Sequence, residues 1–197
     1  MMLASVQPAD GAVEPQPAHP VLETARLVMR PLAAEDVHDL HGAFADPETM
    51  RFMDFPVAQD LADSTRYLST YLFVLPAWHA TWALVRRDSG AAIGFANYHH
   101  RENWNQRLEI GFLLDPAFHG KGLMSEALTA LLGYCFEQLA MQRIEVTTSP
   151  DNAAAIRLIE RLGFRFEGGP MRRRQKVGDV FRDLSMYALL RDEWQRG

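Results

Sequence analysis

The sequence predicts an α+β domain on a mixed β-sheet, and three observations carry that prediction. Alternating runs at residues 26–30 and 107–114 and β-rich runs at 81–85 and 92–98 read as strands. A strand, a helix and a strand follow one another within residues 107–148, a crossover that makes two parallel neighbours. Two C-terminal runs flank Gly178-Asp179 and close the chain on a hairpin. With only one such crossover, a doubly wound fold is excluded.

The elements follow in order. Residues 1–20 hold Pro8, Pro15, Pro17 and Pro20 and almost no bulky side chain, so they form a disordered leader ahead of one domain over residues 21–197. Pro31 ends the first strand, and residues 34–44 make a helix with Val37, Leu40, His41 and Phe44 on one face, stopped by Asp46-Pro47. Residues 51–57 are irregular and aromatic, and a second helix over residues 59–75 aligns Leu61, Leu68, Leu72 and Leu75. Asp88-Ser89-Gly90 turns strand 81–85 into an antiparallel partner, 92–98. Asp115-Pro116 ends strand 107–114, and helix 123–139 places Met124, Ala127, Leu128, Leu131, Cys135 and Leu139 on one face. The β-branched strand 144–148 leads to a helix over 152–162 that Pro150-Asp151-Asn152 caps and Gly163 stops, and a strand at 164–167 precedes the hairpin.

Composition bounds the function. The chain has 197 residues, 48% apolar and 23% charged, enough for one well-filled core. Twenty basic against 25 acidic residues, net −5, leave no global footprint for nucleic acid or an anionic membrane. The one basic run, residues 171–176, lacks interleaved aromatics and reads as the wet side of a hairpin strand. The lone Cys135 forms no intramolecular disulfide and no thiolate zinc site; with no export signal or membrane span, the expected compartment is the cytoplasm. On an apolar helix face Cys135 is a packing residue rather than a nucleophile, and Trp78, Trp82 and Trp104 are expected in the core or in cleft walls.

His119-Gly120-Lys121-Gly122-Leu123-Met124 follows a strand and opens a long amphipathic helix. Its glycines allow a tight turn, and the helix start supplies unpaired N–H groups and partial positive charge, a setting for an anion such as a pyrophosphate. Gly-rich turns also serve as plain punctuation, and Lys121 reads equally as an exposed loop lysine. A Walker loop is absent because Gly122 stands where Ser or Thr would follow Lys121. Gly111, inside the preceding strand, marks a bulge or a close backbone approach. If the strand splays there, the amides of Phe112 and Leu113 face a ligand, with Glu109 on the same face as Gly111. By itself Glu109 would be read as a solvated strand residue. His99 and His100, adjacent at a strand end, should point to opposite faces, which argues against a shared metal.

Five ordered blocks, residues 22–32, 109–112, 115–116, 120–128 and 152–164, resemble the GNAT N-acetyltransferase superfamily, in its ribosomal-protein-alanine (Rim-type) branch. The resemblance covers about residues 22–194. It implies a mixed, mostly antiparallel sheet of about six to seven strands with a central parallel βαβ splay, flanked by helices. It also implies acetyl-CoA as donor, with its pyrophosphate on the amides of His119, Gly120, Lys121, Gly122, Leu123 and Met124 and its pantetheine arm along Phe112 and Leu113. No metal is implied. The sequence departs from the family where His119 replaces Gln or Arg, where Met124 replaces Gly or Ala, and at Ile159 and Ala155, which occupy the positions of the usual Tyr and Ser acids.

The reaction expected is direct acetyl transfer to a primary amine, on a protein N-terminus, a peptide or a small molecule. Such an amine, with a pKa of about 8 to about 10.4, is mostly protonated at neutral pH and needs a base, the role of Glu109. Amides near Phe112 or Leu113 would hold the developing oxyanion, a contribution of about 3 kcal/mol per donor. With neither acid present, the thiolate leaves as such or takes a proton from water. Asn152 contacts the pantetheine or orders such a water, or else simply caps its helix. Phe52, Met53 and Phe55, with His99 as a secondary base, form the expected acceptor cleft. Competing readings are a non-catalytic acyl-CoA-binding regulatory module and a nucleotide-dependent ligase or kinase. A monomer or a homodimer fits equally.

Overall fold

The computed structural model describes residues 19–72 and 78–194 of the chain. Most of the expected leader, residues 1–18, and Leu75 of the expected second helix lie outside the described residues. The last two leader residues belong to the folded body. The His19 ring lies edge-on to Trp82 at 4.7 Å with Nε2 3.1 Å from the Thr81 carbonyl, and Trp82 Nε1 donates to the Pro20 carbonyl at 2.7 Å.

Eight strands form one sheet: β1 (Leu22–Glu23), β2 (Leu27–Pro31), β3 (Ala80–Arg86), β4 (Ala92–Glu102), β5 (Arg107–Leu114), β6 (Arg143–Thr148), β7 (Arg165–Val177) and β8 (Val180–Leu190). Their spatial order is β1-β2-β3-β4-β5-β6-β8-β7, with every neighbouring pair antiparallel except β5–β6. The sheet is the mixed α+β architecture expected, with eight strands instead of six to seven. Leu22–Glu23, paired with Met29 and Val28, is too short for any periodicity to show. The predicted strand 164–167 and the run before Gly178 are one continuous strand, Arg165–Val177.

Helices α1 (Val37–Ala45), α2 (Pro47–Met50) and α3 (Leu61–Leu72) precede β3, α4 (Leu123–Gly133) crosses from β5 to β6, and α5 (Ala153–Arg161) follows β6. Asp46 breaks the first helix with extended backbone and then caps α2 through Thr49 N–H at 2.7 Å, with Pro47 at the first position where no N–H is needed. The helix predicted through residue 139 continues past α4 as a π-helical turn, Tyr134–Gln138. Gly163 ends α5 in left-handed backbone, φ 95°. Among the described residues no helix is long and apolar enough to cross a membrane.

Strand alternation divides the apolar side chains between two cores. Ala96, Tyr98, Leu108 and Ile110 face α4 and α5 with Leu128, Leu131 and the fully buried Cys135. Phe95 and Leu113 point the other way, against Phe44 of α1 and Leu68 of α3. Each such fully buried side chain contributes roughly 1.5–3 kcal/mol. Asn97, His99, Glu109 and Gly111 alternate onto this second face, where residues 51–57 also lie.

The parallel pair is short. Arg107, Leu108 and Glu109 pair with Arg143, Ile144 and Glu145, and pairing stops there. The paired end is clamped by the buried Glu145, which accepts from Arg107 at 2.8 Å and from Arg143 at 2.7 Å. Beyond Glu109 the two strands part.

Candidate active site

Glu109 stands at that fork. Its Oε1 accepts from the Thr147 hydroxyl and, at 3.2 Å, from the Thr147 amide, the first β6 donor beyond the paired segment's end on this face. The carboxylate thus bridges the opening while Oε2 is directed away. Burial, the largest single influence, raises the Glu109 pKa. The nearby His99 charge, the Thr147 hydroxyl and His100 together outweigh it, so the pKa lies below the usual carboxylate value.

The β4–β5 register decides which β5 amides face the gap. Asp115 N–H donates to the Ile93 carbonyl at 2.8 Å, and alternation from that pair turns the amides of Gly111 and Leu113 toward β4 and that of Phe112 toward the opened side. The expectation for Leu113 is therefore corrected: its amide belongs to the β4 ladder. Gly111 marks a close approach and no bulge, since the register is regular there and a Cβ would come within 2.7 Å of Asn97 Oδ1. Asn97 is 2% exposed, and its Oδ1 has no hydrogen-bond partner among the described residues. Sequence reasoning missed Asn97, although one carboxamide inside the apolar run Ala92–Tyr98 was the available signal.

The glycine loop follows β5. Gly120 and Gly122 adopt φ of 72° and 75°, left-handed backbone that a Cβ would strain. Gly122 is the N-cap of α4, and no side chain caps the helix, so the first-turn amides of this long helix remain available to an anion. The side chains of the loop turn elsewhere. His119 Nε2 lies 2.9 Å from the Leu114 carbonyl, and Lys121 Nζ donates to the Ala117 carbonyl at 2.9 Å, 5.2 Å from the centre of the Phe118 ring. Leu123 and Met124 are buried in the α4 core, so at these two positions only the backbone faces a ligand. Arg26 braces the loop from β2's approach, donating to the Lys121 carbonyl at 2.8 Å and pairing with Glu126 at 2.7 Å. A small pocket beside the loop is lined by Arg26, Arg86, Lys121, Phe118 and Leu123, with Asp88 paired to Arg86. Arg26 and Arg86 are far from the loop in sequence, which is why its motif did not reveal them.

The segment 51–57, expected to wall the acceptor cleft, packs on the second face. Met53 and Phe55 pack on the α1/α3 core, and the Phe55 ring stacks on Tyr67 at 4.7 Å. Phe52 is half-buried beneath the Arg51 guanidinium at 5.1 Å. The C-terminal hairpin holds the segment in place: Arg182 donates to the Met53 carbonyl at 2.8 Å, and Gln175 bonds Asp54. Surrounding protein raises the Asp54 pKa and the charges of His99 and Arg182 act against it, although the residue is exposed to solvent. The structure thus brings the 51–55 segment, His99 and Glu109 to one face.

The expectation that His99 and His100 point apart is corrected. An extra residue in β4 between His99 and Glu102, with left-handed backbone at His100 (φ 51°), breaks the alternation. Their Nδ1 atoms lie 3.1 Å apart. Asn152 occupies the N-cap of α5, accepting from Ala155 N–H at 3.2 Å. Ile159 is fully buried and Ala155 sits in the helix's first turn, so neither position offers a proton. Trp82 is a core residue as expected, whereas Trp78 and Trp104 stand exposed; the basic run lies on solvent-facing β7, where Arg173 and Lys176 cover Phe181.

Comparison with known proteins places these features. Residues 26–165 match the family described as acetyltransferase (GNAT) domain. An uncharacterized N-acetyltransferase, p20 of Bacillus licheniformis, is 30% identical over 179 residues, covering 88% of this chain and 97% of that protein. The ribosomal-protein-serine acetyltransferase of Escherichia coli (strain K12) is 29% identical over 100 residues, 51% of this chain and 55% of that one. The structure of RimL, a ribosomal L7/L12 α-N-protein acetyltransferase in complex with coenzyme A, superposes with a TM-score of 0.74 at 20% identity, covering 87% and 98% of the two chains, and so shows the shared fold.

Proposed function

The chain belongs to the GNAT acetyltransferase family and is an acetyl-CoA-dependent N-acyltransferase, and from that premise we propose that Glu109 is the base that readies a primary amine for acetylation at the β5–β6 fork. The observation that carries this reading is the Glu109 carboxylate at the point where the parallel strands part, its Oε1 held by Thr147 and its Oε2 paired with no arginine among the described residues and meeting only the two histidine rings. Acetyl-CoA supplies the activated acyl group. Its pyrophosphate suits the uncapped amides of residues 120–124, its 3′-phosphate the Arg26, Arg86 and Lys121 pocket, and its extended arm the Phe112 N–H.

In the transfer, Glu109 Oε2 takes the proton of the incoming ammonium, and the freed nitrogen lone pair forms the C–N bond as the C–S bond breaks. The Phe112 amide aids the carbonyl oxygen as charge develops on it. Asn97 Oδ1, buried against Gly111 and without a hydrogen-bond partner among the described residues, lies behind the β5 backbone and does not touch the amine. The leaving thiolate takes its proton from water, because Ile159 and Ala155 supply none, and the hydroxide so formed takes the second N–H proton of the acylated nitrogen to give the neutral amide. Asp54, Glu109 and the 51–55 segment make a cleft that favours a cationic acceptor, and similarity to a ribosomal-protein-serine acetyltransferase supports a protein N-terminus as that acceptor.

The test is thiol release from acetyl-CoA over a panel of N-terminal peptides and small amines. Wild-type turnover with at least one peptide, lost in Glu109→Gln while coenzyme A binding by calorimetry persists, supports the reading. Unchanged turnover in that variant removes Glu109 from its role.

A further inference from the structure

The contact between His99, His100 and Glu109 has no part in the transfer just described. Alternation along β4 would separate the two rings, and a bulge with left-handed backbone at His100 is what brings them together. The three facing atoms form a small triangle. His99 Nδ1 and His100 Nδ1 are 3.1 Å apart, His100 Nδ1 and Glu109 Oε2 are 3.4 Å apart, and His99 Nδ1 and Glu109 Oε2 are 4.0 Å apart. Ligands bound tetrahedrally to Zn²⁺ at roughly 2.0–2.1 Å stand about 3.3–3.5 Å from one another. The observed triangle brackets that size, so side-chain shifts of a few tenths of an ångström would seat an ion.

The surroundings fit as well. Thr147 holds Glu109 Oε1 through both its hydroxyl and its amide, fixing the carboxylate so that Oε2 faces the rings, the kind of outer-shell support that orients metal-binding carboxylates. The His100 side chain is 72% exposed, which gives an ion a path in and leaves the fourth vertex to water. Two imidazoles and one carboxylate suit Zn²⁺ and Co²⁺, and are poor for Mg²⁺ or Ca²⁺, which take oxygen ligands.

We propose that His99, His100 and Glu109 form a Zn²⁺ site at the mouth of the acceptor cleft, and that an ion bound there shuts off acetyl transfer by occupying Glu109 Oε2. The binding half stands on geometry alone; the inhibitory half rests on Glu109 as the base.

The experiment uses the untagged full-length chain. Zn²⁺ is titrated in competition with a chromogenic chelator, and Co²⁺ is followed by the visible absorption of four-coordinate cobalt. The expected result is one ion per chain, weakened ~10-fold or more in Thr147→Val and ~100-fold or more in His100→Asn, where Asn tolerates the left-handed backbone. Zn²⁺ should also stop acetyl transfer by the wild type, reversibly with chelator, while His100→Asn, measured against its own zinc-free rate, escapes inhibition. No stoichiometric binding, or binding equal in wild type and His100→Asn, overturns the site. Binding that depends on His100 yet leaves the wild-type rate untouched upholds the site, and overturns both its inhibitory role and Glu109 as the base.

Discussion

Glu109 and Glu145 are partners in the parallel register, one residue on each strand, and they live opposite lives. Glu145 is 7% exposed and saturated by two guanidinium groups, which in turn are held by Glu102 and Glu167. Glu109 has no arginine within ion-pair distance among the described residues; one oxygen bonds Thr147, and the other faces two histidines at a cleft. The same side chain, at the same height in the same sheet, closes the structure in one strand and is left unfinished in the other. A charge that is fully paired stabilises; a charge left with a vacant lone pair is available for chemistry.

The comparison can be broken by experiment. Glu109→Gln should lower kcat/KM by about 100-fold to 10,000-fold, near 3–5 kcal/mol of barrier, while unfolding free energy changes by less than about 1 kcal/mol. Steady-state rates and urea unfolding measure both, and a stability loss as large as the kinetic one would erase the distinction. Glu145→Gln should show the reverse, a stability loss of about 2 kcal/mol from weakened charged hydrogen bonds to Arg107 and Arg143, with kcat/KM of the folded protein within about threefold of wild type. Thr147→Val sharpens the contrast from the Glu109 side: losing one hydroxyl donor should cost about 1 kcal/mol, seen as a roughly fivefold drop in kcat with little change in the KM for acetyl-CoA.

Much of this contrast was readable in the residues. The alternation of Arg107–Leu114 and the helical period of residues 123–133 fixed the crossover, because burial on one face imposes a period that neighbours do not alter. Gly111 and the pair Gly120 and Gly122 marked the fork and the loop, since the close approach of Asn97 and positive φ leave few other residue types. The same logic failed at His99-His100, where one inserted residue reversed a ring, and nothing local in the sequence encodes a bulge that only β5 defines. Leu113 was misjudged by one step because the amide direction is set by register with β4. Arg26 and Arg86 reach the loop from strands remote in the chain, and only the assembled sheet shows them together.

The parting of β5 and β6 also bears on solubility. Unpaired strand donors at the rim of a sheet invite other polypeptides to add themselves, the usual origin of sticky edges. Here the bare stretch lies in the middle of the sheet, fenced by β4 on one flank and by β6 and β8 on the other. A foreign β-strand could not add itself there as at an outer edge, because paired strands stand on both sides. The same lost pairing that would be a hazard at the rim is thus sheltered by the sheet that surrounds it.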